Sequence, residues 1–254
     1  LLNFKVLKFV IEKSLTYKQK GKLPNNLRFS IVTNGLLLNE QIIEFLIKRD
    51  VTVSISIDGP SSVENSCRIN KNGENVYKSL YEKIILAKKM GLNFGLSITL
   101  TESTIKNING LVKFIDTLGI KSLCFNILIK ESNLFDENYY INATKFIIDF
   151  YKLTKNKGIY EDRFMRKLKS FYNSEIYFSD CGATSGSQIV IMPNGSVGIC
   201  HANLDCNDNF IGSIFDKRFN VITNEKIIKW SKMIPLFNKN CESCEALGIC
   251  GGGC

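Results

Sequence analysis

The stretch that decides the fold class is VTVSISIDGP, residues 51–60. Its first seven residues alternate between β-branched apolar side chains and hydroxyl side chains, and the turn signal Asp-Gly-Pro follows. Alternation with a period of two predicts a β-strand that has one apolar and one polar face. The same pattern recurs in residues 96–101 and 122–129. These three stretches predict strands of a common design.

Helical patterns separate these strands along the chain. Apolar residues recur at helical spacing in residues 1–20, a short apolar strand is predicted at 29–33, and further helices are predicted at about 39–49, 75–90, 104–118 and 142–155. Alternating strands and helices predict parallel βαβ units with right-handed crossovers. Strands covered by helices on both faces would be apolar throughout. We therefore expect an open or complete α/β barrel with a polar interior, and function at the strand ends near Asn34, Asp58 and Thr101.

Composition excludes several classes of protein. Of the 254 residues, 44% are hydrophobic and 22% are charged, which is typical of a folded globular chain and excludes a disordered or fibrous one. No apolar run approaches the roughly 18 to 20 residues of a membrane helix, and no signal peptide precedes the fold, so we expect a cytoplasmic protein without a membrane partner. The net charge of +9 comes mostly from scattered Lys, which favours solvated helix faces over a nucleic-acid surface and leaves an acidic peptide partner open.

Cysteine is concentrated at one end of the chain. Seven of the nine cysteines lie between residues 181 and 254, where helical periodicity stops and glycine becomes frequent. Residues 188–191 and 196–200 flank Pro-Asn-Gly and predict a β-hairpin. The sequence therefore predicts two domains, residues 1–174 and residues 175–254.

The cysteine spacing predicts metal binding. Cys241, Cys244, Cys250 and Cys254 are separated by two, five and three residues, which allows thiolates to converge from tight turns. Four thiolates suit either one structural zinc or an iron–sulfur cluster. Cys181 and Cys200 add two more, and since one tetrahedral zinc cannot use six ligands, two polynuclear sites are the simpler account. A noncatalytic binding module stabilised by zinc is the alternative.

The order Cys-x13-Gly-x4-Cys, then Cys-x2-Cys-x5-Cys-x3-Cys, resembles the SPASM domain of radical S-adenosylmethionine (SAM) enzymes that modify peptides and proteins. Residues 33–35 and 54–60, with Arg68 beyond them, resemble the third and fourth strands of the radical SAM barrel. The resemblance implies a partial (β/α)6 TIM-like barrel over residues 1–174 and a small Cys-rich SPASM domain with a β-hairpin over residues 175–254. The CxxxCxxC and Gly-Gly-Glu-Pro motifs of radical SAM enzymes do not occur in the sequence, so the resemblance predicts a fragment that lacks the N-terminal segment and is truncated after Cys254.

The resemblance also implies roles for individual residues. It assigns Cys181, Cys200 and Cys254 to a first auxiliary 4Fe-4S cluster, and Cys241, Cys244 and Cys250 to a second one. Cys206 is a further candidate for the first cluster, whose fourth iron otherwise stays open to a substrate thiolate. The residues implied to contact SAM are Ser56, Asp58 and Arg68, with Thr33, Asn34 and Thr99 as weaker candidates. His201, the only histidine, is a candidate catalytic base, with packing beside a cluster as the alternative role.

The function implied is that of an oxidoreductase of the radical SAM class. The implied enzyme matures a ribosomally made peptide. A 5'-deoxyadenosyl radical abstracts a hydrogen atom from this peptide, and a cysteine thioether crosslink is the candidate product. The implied cofactors are SAM, two auxiliary 4Fe-4S clusters and one catalytic cluster held outside residues 1–254. The implied partners are a peptide, which we expect to be Cys-rich, and an electron donor such as flavodoxin or ferredoxin. A sulfatase-maturing type of enzyme is the alternative within the same class, although His201 replaces an acidic residue of that branch.

Overall fold

The computed structural model of the chain describes residues 1–128, 136–203 and 209–252. The chain divides into two compact units, Leu1–Met165 and Arg166–Cys254. The predicted fold class is confirmed, because a five-stranded parallel sheet with helices lies in the first unit and a separate antiparallel sheet lies in the second. Within the described ranges, no helix has the length and apolar character needed to cross a bilayer.

The first unit is built on a parallel sheet whose strands follow chain order. The strands are β1 (Phe29–Thr33), β2 (Val51–Ser56), β3 (Phe94–Thr99), β4 (Ser122–Asn126) and β5 (Tyr160–Glu161). The helices are α1 (Phe4–Gln19), α2 (Glu40–Lys48), α3 (Tyr77–Lys89), α4 (Glu102–Lys106), α5 (Ile108–Leu118) and α6 (Glu137–Thr154). Helix α7 (Asp162–Tyr172) follows β5 and crosses the boundary between the two units.

The two faces of these strands differ as predicted. The apolar side chains Ile55, Leu96 and Phe125 are fully buried in one continuous core, which the helices cover. The hydroxyl and amide side chains that alternate with them, such as Ser54 and Asn126, are half-buried. Burial of one face drives the sheet onto its helices and leaves a polar face free for a ligand.

Two predicted elements end earlier than expected. Strand β3 ends at Thr99, because the side chain of Thr101 accepts a hydrogen bond from the Thr104 backbone N–H and begins α4. Strand β4 ends at Asn126, and the predicted extension reaches Ile129, outside the described residues. A hydroxyl that caps a helix competes with strand pairing for the same backbone.

The predicted single helix over 104–118 is wrong, because two helices occupy residues 102–118. Asn107 separates them, with its side-chain oxygen accepting a hydrogen bond from the Gly110 backbone N–H at 3.2 Å. A Cβ on Gly110 would lie 2.3 Å from that oxygen, so a larger residue there would require the Asn107 side chain to shift. Asparagine at such a position favours a new helix start over helix continuation.

The second unit contains the predicted hairpin. Strands β6 (Val190–Ile191) and β7 (Ser196–Gly198) are antiparallel, and β8 (Phe210–Ser213) adds a third strand that was not predicted. The expectation that helices stop near residue 175 is wrong, because α8 (Glu225–Ser231) follows. The Asn224 side chain caps α8 by accepting hydrogen bonds from two backbone N–H groups. Ile227 of α8 joins a small apolar core with Val197 of β7 and Ile211 of β8.

Candidate functional site

A buried ion pair lies at the carboxyl end of β2. Asp58, 3% exposed, lies two residues after the strand, and its Oδ1 accepts hydrogen bonds from Arg68 Nη2 at 2.6 Å and from the Thr99 backbone N–H at 2.8 Å. The structure thus brings together three of the residues predicted to contact SAM. Because the same Asp58 oxygen accepts both hydrogen bonds, it holds the Arg68 guanidinium close to the end of β3.

Arg68 retains an unused donor. Its side chain is 21% exposed, and its Nε is buried without a hydrogen-bond partner in the part of the chain that the structure describes. A buried guanidinium N–H without an acceptor is costly, so it marks a position where an anionic ligand group would be favourable. The arrangement therefore fits the carboxylate of an amino-acid-bearing ligand such as SAM.

The loop after β2 is held in place by Asn65, which is fully buried. The Asn65 side-chain oxygen accepts a hydrogen bond from the Asp58 backbone N–H at 2.9 Å. Its Nδ2 donates to the carbonyl oxygens of Gly59 and Ser61, at 3.0 and 2.7 Å. Thr104 Oγ1 donates to the Asp58 carbonyl at 2.9 Å from the opposite side. Asp58 is therefore held through its backbone as well as through its side chain.

Glu64 adds a second polar anchor to the same loop. Its carboxylate accepts hydrogen bonds from the Ser61 backbone N–H and hydroxyl and from Asn107 Nδ2, the last at 2.7 Å. Burial acts to raise the pKa of Glu64, but the hydrogen bonds from Ser61 and Asn107 outweigh it and hold this pKa below its ordinary value. The loop that carries Arg68 is thus tied to the start of α5 by an ionised carboxylate.

The lowered pKa of Glu64 predicts a pH-dependent contribution to stability. A carboxyl whose folded-state pKa is depressed stabilises the fold above its unfolded pKa, and this contribution is lost as the pH falls through the folded value. We expect Glu64→Gln to be less stable than the wild type at pH 7, and the difference to narrow toward acid pH. Urea unfolding from pH 7 down to pH 3 measures this difference. The matched control is Glu102→Gln in α4, an exposed carboxylate, and a constant Glu64→Gln difference across this range would contradict the assignment.

The remaining residues predicted to contact SAM lie on or directly after neighbouring strands. Ser56 ends β2 on the polar face and is half-buried. Thr33 is buried, and its Oγ1 accepts a hydrogen bond from the Gly35 backbone N–H at 3.1 Å. Asn34 is exposed, and its side-chain oxygen accepts from the Leu36 backbone N–H at 3.4 Å. These contacts shape the turn after β1, while the role of each residue toward SAM stays a prediction.

Five cysteines of the second unit lie in the described residues, where they form no disulfide and differ in burial. Cys181 and Cys200 are partly buried against its small apolar core, whereas Cys244 and Cys250 are exposed. Cys206 and Cys254 lie outside the described residues. Among the described residues, no group of three or more His, Cys, Asp or Glu side chains is arranged to hold a metal ion.

The chemistry of this donor set fits iron–sulfur ligation, since thiolates are the usual ligands of such clusters. The backbone at Cys200 is fixed by Asn209, whose side-chain oxygen accepts hydrogen bonds from the Ile199 and Cys200 N–H groups at 2.8 and 2.7 Å. The Sγ of Cys200 accepts the Ala202 N–H at 3.4 Å. This N–H···S contact orients the side chain of a candidate metal ligand. His201, between these residues, is exposed and begins a short 3-10 turn.

Sequence reasoning missed the residues that position this site. They are Glu64, Asn65, Thr104, Asn107 and Asn209, and their side chains hold loops and turns through the backbone. The available signal is that short polar residues cluster directly after predicted strands, where a loop needs side-chain hydrogen bonds. That signal predicts a turn but does not identify the partner, which for Thr104 and Asn107 lies 46 and 43 residues away in sequence.

Comparisons with known proteins identify relatives of one enzyme class. No family model matches the chain. The radical SAM cyclopropyl synthase TigE of Paramaledivibacter caminithermalis is 25% identical over 264 residues, covering 100% of this chain and 52% of that protein. A cysteine-type anaerobic sulfatase-maturating enzyme of Clostridium perfringens is 26% identical over 261 residues, covering 96% of this chain and 69% of that protein. The chain thus spans about half the length of the first relative.

A solved structure shows the same fold. Native anSMEcpe, with bound AdoMet and the Kp18Cys peptide, superposes with a TM-score of 0.79 at 22% sequence identity. The superposition covers 98% of this chain and 71% of that one. Likeness at this identity is evidence for a shared fold.

Proposed function

Because the chain is a relative of radical SAM enzymes that modify peptides and proteins, we propose that it is part of such an enzyme and that it binds SAM and a peptide. The single observation that carries this proposal is the buried Asp58–Arg68 pair at the end of β2. In the part of the chain that the structure describes, Arg68 Nε has no hydrogen-bond acceptor. This pair lies at the strand end where ligands of such sheets bind. Two sequence relatives, a radical SAM cyclopropyl synthase and a sulfatase-maturating enzyme, agree with the proposal.

The proposed SAM site is made by this chain's own residues. Arg68 Nε would donate a hydrogen bond to the SAM carboxylate, while Nη2 stays on Asp58. Ser56, Thr33, Asn34 and Thr99 would line the neighbouring strand ends toward the rest of the molecule. Asn65 and Glu64 would keep the loop closed, so that Arg68 does not reorient when the ligand binds.

The cysteines of the second unit would hold iron–sulfur clusters in two sets. Cys181 and Cys200, which share the small apolar core, would serve the first set with Cys254, and Cys206 is the candidate that closes it. Cys241, Cys244 and Cys250 would serve the second set. When bound, SAM and a reduced catalytic 4Fe-4S cluster would supply the radical chemistry that removes a hydrogen atom from a peptide carbon, and an oxidised auxiliary cluster would accept the electron that the substrate then loses. The CxxxCxxC spacing of a catalytic cluster does not occur in residues 1–254, and the thiolates of that cluster would lie outside this range.

We propose a peptide as the substrate, with a Cys-rich ribosomal peptide and a thioether product as the specific case. Support for a peptide comes from the relative that modifies sulfatases and from the Kp18Cys peptide bound in anSMEcpe. A sulfatase-maturing activity is the second candidate, and the similarity to the sulfatase-maturating enzyme favours it. His201, which stands where that branch has an acidic residue, favours the Cys-rich ribosomal peptide instead. His201 would act as a base toward the substrate. Incubation with a Cys-rich peptide and with a sulfatase-derived peptide, followed by mass spectrometry, separates the two candidates.

We further propose a cytoplasmic location and a flavodoxin or ferredoxin as the electron donor. The support is chemical, since free thiols and reduced clusters persist in a reducing compartment.

Metal content tests the proposal. We expect anaerobically prepared protein to be brown, with broad visible absorption and with iron and acid-labile sulfide in near-equal amounts, because the donor set is thiolate-rich. The measurement is iron, zinc and sulfide analysis per chain, with a Cys67→Ala variant as the control for a thiol outside the cysteine-rich unit. A colourless protein that binds zinc stoichiometrically would contradict this proposal and would favour the noncatalytic binding module stabilised by zinc.

A further inference from the structure

An ionic network in the second unit contacts the backbone of Cys250 and of Asp180, the residue before Cys181. Lys167 of α7 donates from Nζ to Asp180 Oδ1 at 2.8 Å and also to the backbone carbonyl of Cys250. Asp180 directly precedes Cys181. Lys167 therefore contacts both a neighbour of Cys181 and Cys250 itself, although the cysteines are predicted to serve different clusters.

The two cysteine segments are also joined through their backbones. The Asp180 N–H donates to the Gly251 carbonyl at 2.9 Å, and the Tyr177 N–H donates to the Gly248 carbonyl at 2.5 Å. Gly251 has φ of +72°, and a Cβ there would lie 2.7 Å from the Asp180 nitrogen. Only glycine allows the segments to approach this closely. The ion pair thus reinforces a tight backbone junction between residues 177–181 and 248–251.

The network carries more positive than negative charge. Arg166 Nη1 lies 3.2 Å from Asp180 Oδ1 and also donates to the Asp180 carbonyl at 3.2 Å. Lys167 Nζ lies 4.8 Å from the centre of the Tyr177 ring, whose hydroxyl donates to Asp180 at 3.2 Å. Two cations thus face one carboxylate, all of them 21–31% exposed, so the Coulomb interactions are only partly screened by water. Thiolate-bound iron–sulfur clusters are anionic, and a surplus cation beside them stabilises the reduced form.

We propose that Lys167 is a positioning residue shared by the two auxiliary cluster sites, which it aligns through Asp180 and Cys250 and whose reduction potentials it raises. This inference rests on the proposed iron–sulfur function of the cysteines. It predicts that one side chain outside every cysteine motif influences both clusters at once. A residue that merely stabilised the fold would leave the reduction potentials of the loaded clusters unchanged.

The test compares Lys167→Met with Lys169→Met in the cluster-loaded full-length enzyme. Lys169 lies on the same helix and is exposed, so it matches the loss of one positive charge. We expect Lys167→Met to bind iron about 10- to 100-fold less tightly in competition with a chelator, as for other residues that support metal ligands. We also expect the potentials of both auxiliary clusters, followed by electron paramagnetic resonance during redox titration, to become more negative. Lys169→Met should match the wild type.

Two further variants make the inference falsifiable if Lys167→Met folds poorly. Asp180→Asn keeps the size of the side chain but removes the negative charge, so the reduction potentials of both clusters should become more positive. Lys167→Arg keeps the positive charge, so this variant alone should have the reduction potentials of the wild type. The inference is overturned if Asp180→Asn and Lys167→Met shift the potentials in the same direction, or if only one cluster responds. A wild-type enzyme without auxiliary clusters would instead refute the proposed function, before any variant is compared.

Discussion

Cys200→Ala is expected to abolish peptide modification in the full-length enzyme while SAM cleavage in the absence of peptide persists. Cys200 is half-buried, its backbone is held by Asn209, and its sulfur already accepts an N–H. Loss of this thiolate removes a predicted ligand of the first auxiliary cluster and leaves the radical-generating cluster intact. Mass spectrometry of the peptide and chromatography of 5'-deoxyadenosine measure the two activities separately.

Cys206→Ala is the matched control for this prediction. If Cys206 is a bystander, its removal leaves the iron content and turnover near wild-type values. Loss of iron from the first auxiliary site in Cys206→Ala would show that Cys206 closes that site, and the open iron for a substrate thiolate would then be ruled out. Loss of SAM cleavage in Cys200→Ala would contradict the proposed separation between the clusters.

Asp58→Ala is expected to destabilise the protein by about 3–5 kcal/mol, because it leaves the Arg68 guanidinium without its buried partner. The Thr99 N–H also loses its acceptor. SAM binding should fall together with stability, since Arg68 would no longer be held against the end of β3. Urea unfolding measures the first effect, and equilibrium dialysis with SAM in folded protein measures the second.

Asp116→Ala provides the comparison for an exposed ion pair. Asp116 pairs with Lys157 at 2.5 Å, but both side chains are about 40% exposed, so the expected loss is at most about 1 kcal/mol. A third variant, Asp58→Asn, keeps one hydrogen-bond acceptor and should fall between these two. Equal stabilities of Asp58→Ala and Asp116→Ala would show that the buried pair does not support the fold.

The main elements of the first unit could be predicted because their signals are local. Alternation in residues 51–57 and 96–101 predicted two strands with one buried face, and both faces have the predicted burial. The Pro-Asn-Gly turn predicted the hairpin of β6 and β7. Resemblance then associated Asp58 with Arg68, and the structure places them in contact.

Other elements could not be predicted because they depend on distant partners. Strand β5 has two residues, too few for any periodicity, and exists because it pairs with the start of β4. Glu161 in this strand is buried, and three backbone N–H groups, from Phe125, Arg163 and Phe164, converge on its carboxylate. Burial raises the pKa of Glu161 against the opposing effect of these hydrogen bonds. Nothing in the local sequence indicates such a cluster.

The sequence by itself determined the parallel α/β design and the concentration of cysteines in the second unit, since periodicity, spacing and side-chain type are properties of the chain alone. Tertiary structure decided which polar groups meet. Asn65 reaches Asp58, Asn107 reaches Glu64, and Lys167 reaches Cys250, across up to 83 residues of sequence. The physical reason is that a buried polar group needs a partner wherever packing brings one within hydrogen-bond distance, and packing is set by the whole core.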